Sequence, residues 1–559
     1  MAKKQGSEPK YGIKTEKDVF VTMRDGVRVA VNIYRPDAEG KFPALLAMSA
    51  YGKECEDLLL PPQPVDKSPL WDGNIEAGDP QYFVPRGYVH IIGDVRGSGD
   101  SEGEFVGICS KKEGEDGYDL VEWIAQQPWC DGNVGMVGYS YFGEIQLFVA
   151  GEQPPHLKTI VPTGIWTDLY RGMAYHGGVL CLFLYGLWDG RLGTSGLAPK
   201  NVVSAMMKEL PKEEFDRRRQ ELLNNQDINH FPNLYHLLKY PYKNPVFVDL
   251  LLNPYDGPFY WERSAYTYFD KIKIPFFTIA PGRPQAHFDA YTGIDAPKKM
   301  LLHPPMISPP RPWREEMETL VRWYDHWLKG IDTGIMDEPP IKLFVTGSNK
   351  WRYENEWPLP GMKPTKFYLA SWQSLSQKPE AYMDEPDCFV QHPLHVSAER
   401  QSLKYLTPPL LEDLEVIGPV ALHLYASIDA EDTNWIVDFF DIDEHGAERR
   451  LSQGYFKASH RALDKEKSTP SQPYHPHDKT EPVVPGEICE YAIALETIAH
   501  VFKAGHQLKL DIRSMESPHD DEFLVHYHPH LCSSQTTLHK IYRNKEYQSH
   551  LLLPVIDES

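Results

Sequence analysis

Val134-Gly135-Met136-Val137-Gly138-Tyr139-Ser140-Tyr141-Phe142-Gly143 is a short apolar run that breaks at a glycine, presents a serine, and leads into the apolar stretch 145–150. A strand turning directly into a helix, with serine at the bend, is the context of a nucleophile elbow. Such a turn has no room for side chains flanking the serine, hence the glycines. Here the fifth position of a strict G-x-S-x-G is Phe142, and glycine follows one residue later at Gly143. The bend lifts the hydroxyl over the sheet and aims the amide groups of a helix N-terminus at it, where a developing oxyanion can be held.

Outward from the elbow the pattern is strand and helix in alternation. Residues 19–22 alternate into Arg24-Asp25-Gly26 and resume at 27–34, a hairpin signal. The run at 42–48 is continuously apolar, as a buried strand is, 88–95 and 159–161 read as further strands, and 115–127 carries apolar residues near helical spacing. Together they predict an α/β unit with a mainly parallel sheet. From Trp166 to Phe269 aromatics, Leu and Met dominate, 211–225 is a charged helical stretch, and no strand signal stands out, so the segment reads as a helical insertion. Strand signals return at 272–279 and 299–302, and 316–328 reads as an amphipathic helix. Beyond Gly330 short strands separated by Gly, Pro and Asp turns predict a β-sandwich. The expected organisation is an α/β domain at 12–165 and 270–345, a helical cap at 166–269, and a sandwich at 346–559.

The 559 residues carry 57 Lys and Arg against 79 Asp and Glu, a net charge of −22. That surface disfavours nucleic acid and anionic lipid as partners. No apolar run is long enough to span a bilayer, and the N-terminus lacks the apolar core of a signal peptide, so a cytoplasmic location is expected. Seven scattered cysteines without metal-ligand spacing read as reduced structural thiols.

The chain resembles the cocaine-esterase / X-prolyl dipeptidyl-peptidase-like (CocE/NonD) family of α/β-hydrolases. The resemblance rests on Met23-Arg24-Asp25-Gly26, Ala50-Tyr51-Gly52-Lys53, Arg86-Gly87-Tyr88, the run from Asp94 to Gly103 (DVRGSGDSEG), the elbow, Arg322-Trp323-Tyr324-Asp325-His326-Trp327, and Ala458-Ser459-His460-Arg461. It implies an α/β-hydrolase domain with an inserted helical cap and a C-terminal jelly-roll β-sandwich. It also implies ester or amide hydrolysis through a Ser–His–Asp triad. Carried over by motif, Ser140 is the nucleophile, and the Tyr51 hydroxyl and Tyr141 N–H form the oxyanion hole. No cofactor or metal is needed. The expected partner is a small-molecule ester or amide, with assembly into a homo-oligomer left open.

The sequence departs from the family where the triad Asp and His stand. Pro284 occupies the Asp position of a G-W-x-D stretch, and Ile307 the His position of a P-W-S-H stretch. Three readings follow. His303 or His287, with Asp289 beside the latter, replaces the lost base; the pocket serves another reaction such as C–C cleavage; or the cleft only binds. Elsewhere, Asp325 and His326 read as helix packing, and Asp94 and Arg96 as a structural ion pair or turn stabiliser. The HPH of His475 and His477 reads as a solvated turn rather than, with His460, a metal site. His176 is a candidate pocket-lining residue in the cap.

Overall fold

A computed structural model of the chain describes residues 5–54, 76–186, 200–281, 285–304, 316–516 and 530–557. The predicted hairpin opens the fold. β1 (Ile13–Thr22) and β2 (Arg28–Pro36) pair antiparallel around Asp25-Gly26, with Gly26 at φ 87°, where glycine carries no steric penalty. β3 (Phe42–Ser49), β4 (Val89–Asp94), β5 (Cys130–Tyr139), β6 (Leu157–Thr163), β7 (Phe276–Pro281), β8 (Lys298–His303), β9 (Ile341–Val345) and β10 (Lys350–Glu354) complete one sheet. Its order is β1-β2-β4-β3-β5-β6-β7-β8-β9-β10. From β4 through β9 every neighbouring pair is parallel, and the strands are apolar because helices cover them. The sheet runs one strand past residue 345.

Two helices seat the elbow. α1 (Lys111–Ala125) starts at a capping box in which Ser110 and Glu113 exchange hydrogen bonds. α2 (Tyr141–Gly151) is buried along its whole length. Two more complete the domain: α3 (Gln285–Gly293) follows β7, and α4 (Met317–Lys329) ends at Gly330, φ 67°. On α4, Trp323 Nε1 donates to Thr159 Oγ1 at 2.8 Å, and the Tyr324 hydroxyl to Met136 O at 2.9 Å. Asp325 is fully buried and accepts from the Tyr88 hydroxyl at 2.6 Å, the packing role expected of it.

The segment between β6 and β7 is helical, as expected, but it also holds a β-hairpin that periodicity did not show. Tyr175–His176 pairs with Val179–Leu180 across Gly177-Gly178. Strands of two residues are too short to alternate. The glycines are pressed against the C-terminal domain: a Cβ on Gly177 would lie 1.9 Å from Tyr455 O.

The C-terminal domain begins with Met362–Ala370 and builds eleven strands around its own core, which includes Trp435, Phe439, Tyr491 and Phe502. Here the reading of His475 and His477 is corrected: both are buried, not solvated. The His475 ring sits between Ala462 O and Ala492 O at 2.9 and 2.8 Å, and Arg171 of the cap donates to His475 O at 2.8 Å. The Pro-rich segment is turned inward because cap and β-domain both supply partners for it. Among the described residues no helix is long and apolar enough to cross a membrane.

Candidate active site

The elbow forms as the sequence predicts. Ser140 stands between β5 and α2 at φ 59°, ψ −124°, a conformation costly for any residue with a side chain and characteristic of functional positions. Its N–H donates to Thr163 O at 2.9 Å, and its carbonyl accepts from Gly143 and Glu144 at 2.8 Å each. A Cβ on Gly138 would meet Phe142 Cβ at 2.3 Å; one on Gly143 would meet Thr163 O at 2.4 Å. The shift of glycine from position 142 to 143 is thereby explained: residue 143 is the one that rests on β6.

Tyr51 is brought to the serine, its hydroxyl 3.4 Å from Ser140 Oγ and its ring edge-on to Tyr141, with centroids 5.7 Å apart. The neighbouring Lys53 fixes that loop. Its N–H donates to Asp94 Oδ1 at 2.5 Å, and its buried ammonium lies 2.7 Å from Asp100 Oδ2. Asp94 and Arg96 are turn stabilisers, yet they do not pair with each other: Arg96 Nε donates to Asp116 Oδ2 at 2.6 Å. The Tyr141 N–H is the first of α2 and has no acceptor within the helix. The Tyr51 hydroxyl and the first amide of α2 therefore both stand next to Ser140, the former in space and the latter in the chain.

The two histidines stand differently. His287, on α3, is wholly buried with both ring nitrogens committed: Nδ1 is 2.5 Å from Thr278 Oγ1, and Nε2 accepts from Ile165 N at 3.2 Å. That ring braces β6 against β7 and has no lone pair left for a serine proton. His303 ends β8, its Nε2 3.5 Å from Glu316 Oε1 and its ring edge-on to Trp351. Among the described residues the side chain hydrogen-bonded to Ser140 Oγ is Tyr51. Pro284 and Ile307, at the positions of the lost triad members, lie outside the described residues, and Asp289 is hydrogen-bonded to Gln285 at 2.8 Å.

Sequence reading missed two carboxylates here. Glu144 is fully buried four residues after Ser140, with Oε2 accepting from Trp166 N at 3.1 Å, and burial holds its pKa well above the usual range. Its i+4 spacing from the serine was the available signal. Glu316 has none, being thirteen residues from His303 across residues 305–315. His176 faces the β-domain, with Nδ1 2.8 Å from His530 Nε2. A cleft of about 620 Å³ lined by Phe42, Asp131 and Asn133 lies at the amino ends of β3 and β5, opposite the edge that carries Ser140.

Burial gives the site a pH signature. It lowers the pKa of His287 to about 3 and of His303 to about 4, the latter helped by Lys342. The unfolded chain protonates these rings near ~6.5, the folded chain only far below. Stability from each is therefore complete above that value and lost as pH falls toward the folded pKa. For His287 the loss between pH 6.5 and 5 is about 2 kcal/mol. A His287→Asn variant, weaker than wild type at pH 7.5, is expected to lose less stability than wild type on going to pH 5.0, read by urea denaturation at both values. Equal losses would place the His287 pKa near its ordinary value.

The comparisons agree with this geometry. The family model of the X-Pro dipeptidyl-peptidase (S15 family) matches residues 25–305, and that of the X-Pro dipeptidyl-peptidase C-terminal non-catalytic domain matches 333–552. A cocaine esterase from Rhodococcus sp. strain MB1 Bresler is 27% identical, with 96% of this chain and 98% of that protein aligned. A putative Xaa-Pro dipeptidyl-peptidase of Bacillus cereus is 26% identical over 86% of this chain and 81% of its own. The crystal structure of a CocE/NonD family hydrolase from Staphylococcus aureus superposes with a TM-score of 0.77 at 24% identity, covering 98% and 97% of the two chains, which shows the shared fold. An elbow serine on a mixed sheet, a cap between β6 and β7, and a β-domain at the end are this family's parts, and the chain belongs to the X-Pro dipeptidyl-peptidase (S15) family of α/β-hydrolase enzymes.

Proposed function

We propose that the protein hydrolyses a small ester or amide through an acyl-enzyme on Ser140. The observation that carries this reading is the strained elbow, which holds the Ser140 hydroxyl beside the Tyr51 hydroxyl and the first amide of α2. In this reaction Ser140 Oγ attacks the carbonyl carbon, and its proton passes to an imidazole. The carbonyl oxygen, now anionic, lies against Tyr51 and the Tyr141 N–H. The C–O or C–N bond then breaks, and the leaving group takes the proton. Water repeats the sequence to release the acid. His303 is the proposed base. It ends β8, the strand whose following loop carries the base in the family pattern, and Glu316 beside its Nε2 is suited to steady an imidazolium. The names of two relatives, a cocaine esterase and a putative Xaa-Pro dipeptidyl-peptidase, make benzoate esters and X-prolyl amides the first substrates to test.

The test is labelling with a fluorophosphonate, located by mass spectrometry. The expected result is one adduct on the peptide bearing Ser140, formed about 10²-fold more slowly in Tyr51→Phe, since one oxyanion donor is worth roughly that much. A slow His303→Ala would assign the base; an unchanged rate would move that role elsewhere. A second reading, ligand binding without turnover, is favoured by the absence, among the described residues, of an imidazole hydrogen-bonded to Ser140. A folded wild type that takes no label would establish it.

A further inference from the structure

The cap hairpin and the β-domain meet around three side chains that the proposed reaction does not use. His176 ends the first strand of the hairpin, and Cys181 directly follows the second. His530 comes from the other domain and is joined to Cys181 by an isolated β-bridge. His176 Nδ1, His530 Nε2 and Cys181 Sγ, one ligand atom from each residue, all lie within 4.8 Å of one another. Cys181 and His530 are buried and His176 half-buried, which leaves a path in from solvent. Among the described residues this is the one group of three or more His, Cys, Asp or Glu whose ligand atoms are close enough to share an ion.

The outward faces of the two rings decide what the inward faces can be. His176 Nε2 lies 3.1 Å from Gly172 O, an acceptor, so that nitrogen carries a proton. His530 Nδ1 lies 3.1 Å from Glu516 Oε2, also an acceptor, and Glu516 is in turn held by the Tyr455 hydroxyl at 2.8 Å. Were both rings neutral, both inward nitrogens would present lone pairs, yet they approach to 2.8 Å; against the burial that lowers it, Cys181 and Glu516 raise the His530 pKa to about 9, so a metal ion here would take the place of a proton. Two lone pairs at that distance repel unless a Lewis acid or a proton lies between them. A ring N–H tied to a carbonyl or carboxylate while the other nitrogen faces inward is the outer-sphere arrangement of metal-bound histidine. With nitrogen about 2.0–2.1 Å and sulfur about 2.3 Å from a tetrahedral ion, the three donors would stand roughly 3.3–3.6 Å apart, within reach of the observed spacing by rotamer adjustment.

We propose that His176, Cys181 and His530 bind a borderline divalent metal ion, zinc in the first place, that clips the cap hairpin to the β-domain. Two nitrogens and a thiolate suit zinc over the hard oxygen-seeking cations, and a water can fill the fourth position. The clip lies where the two parts are already joined by backbone hydrogen bonds, from Lys457 N to Gly177 O and from Leu531 N to Leu180 O, each 2.9 Å.

The experiment uses the full chain without a histidine tag. It is stripped with chelator, incubated with Zn2+ or Co2+, passed through gel filtration, and measured for metal content and absorbance. The expected result is about one equivalent of retained zinc and, with cobalt, a thiolate-to-metal charge-transfer band. The band should vanish in Cys181→Ser and persist in Cys388→Ser, whose thiol is exposed. Should Cys181→Ser not fold, His530→Gln and the wild-type cobalt spectrum carry the decision. Less than about a tenth of an equivalent retained by wild type would overturn the proposal in favour of a proton shared between the rings. Retained cobalt without the charge-transfer band, or a band that survives Cys181→Ser, would overturn it equally.

Discussion

Ser140→Gly is expected to lose hydrolysis of short-chain aryl esters by about 10⁴-fold or more and, in the same protein, to gain stability. The two effects have separate causes. Losing the hydroxyl removes the nucleophile, and what remains is binding and the oxyanion donors. Losing the Cβ relieves a backbone held at φ 59°, ψ −124°, where a side chain costs about 1–3 kcal/mol. Ser140→Ala separates them: it should lose activity to the same degree without the gain, because alanine keeps the Cβ. Hydrolysis rates and urea midpoints of the three proteins check this. Activity retained in Ser140→Ala would remove this hydroxyl from the reaction, and equal midpoints for glycine and alanine would remove the strain.

Gly143→Ala is expected to cost about 3 kcal/mol or more and to abolish fluorophosphonate labelling, because overpacking against backbone has no cheap relief. The residue lies in the first turn of α2, with ordinary helical φ, where alanine is normally better than glycine. Any loss is therefore collision rather than conformation. The added Cβ would sit 2.4 Å from Thr163 O and 2.8 Å from Thr163 N, both backbone atoms of β6. Gly446→Ala is the counterpart, with φ +83° and no atom within 4 Å of the new Cβ, so it carries conformational cost alone, about 1 kcal/mol. Equal losses at the two positions would mean that α2 can slide away from β6.

The hairpin at 19–34, the buried strands and the elbow were legible because each is a local pattern: a turn dipeptide, a continuous apolar run, glycines around a serine. The resemblance supplied what local pattern could not, notably Tyr51 near Ser140, eighty-nine positions apart. What escaped was assembled across the chain. Cys181 showed no ligand spacing because one of its neighbours, His530, lies in another domain. His475 and His477 looked solvated because a Pro-rich segment is polar in composition, while its partners Arg171, Ala462 and Ala492 come from elsewhere. His287 had the right residue type on the right strand's loop, but sequence could not say that Thr278 and Ile165 would claim both its nitrogens.

The hairpin glycines that rest on Tyr455 and His460 also bear on how such enzymes can be recombined. The cap hairpin is stitched to the C-terminal half through Gly177 and Leu180, and β9 is tied there through Thr346, whose N–H donates to Ala499 O at 3.1 Å. A chimera that exchanges the C-terminal half with a relative's must carry residues 175–181 along with it. Otherwise a bulky turn meets the wrong backbone, and the cap loses its seat on the β-domain.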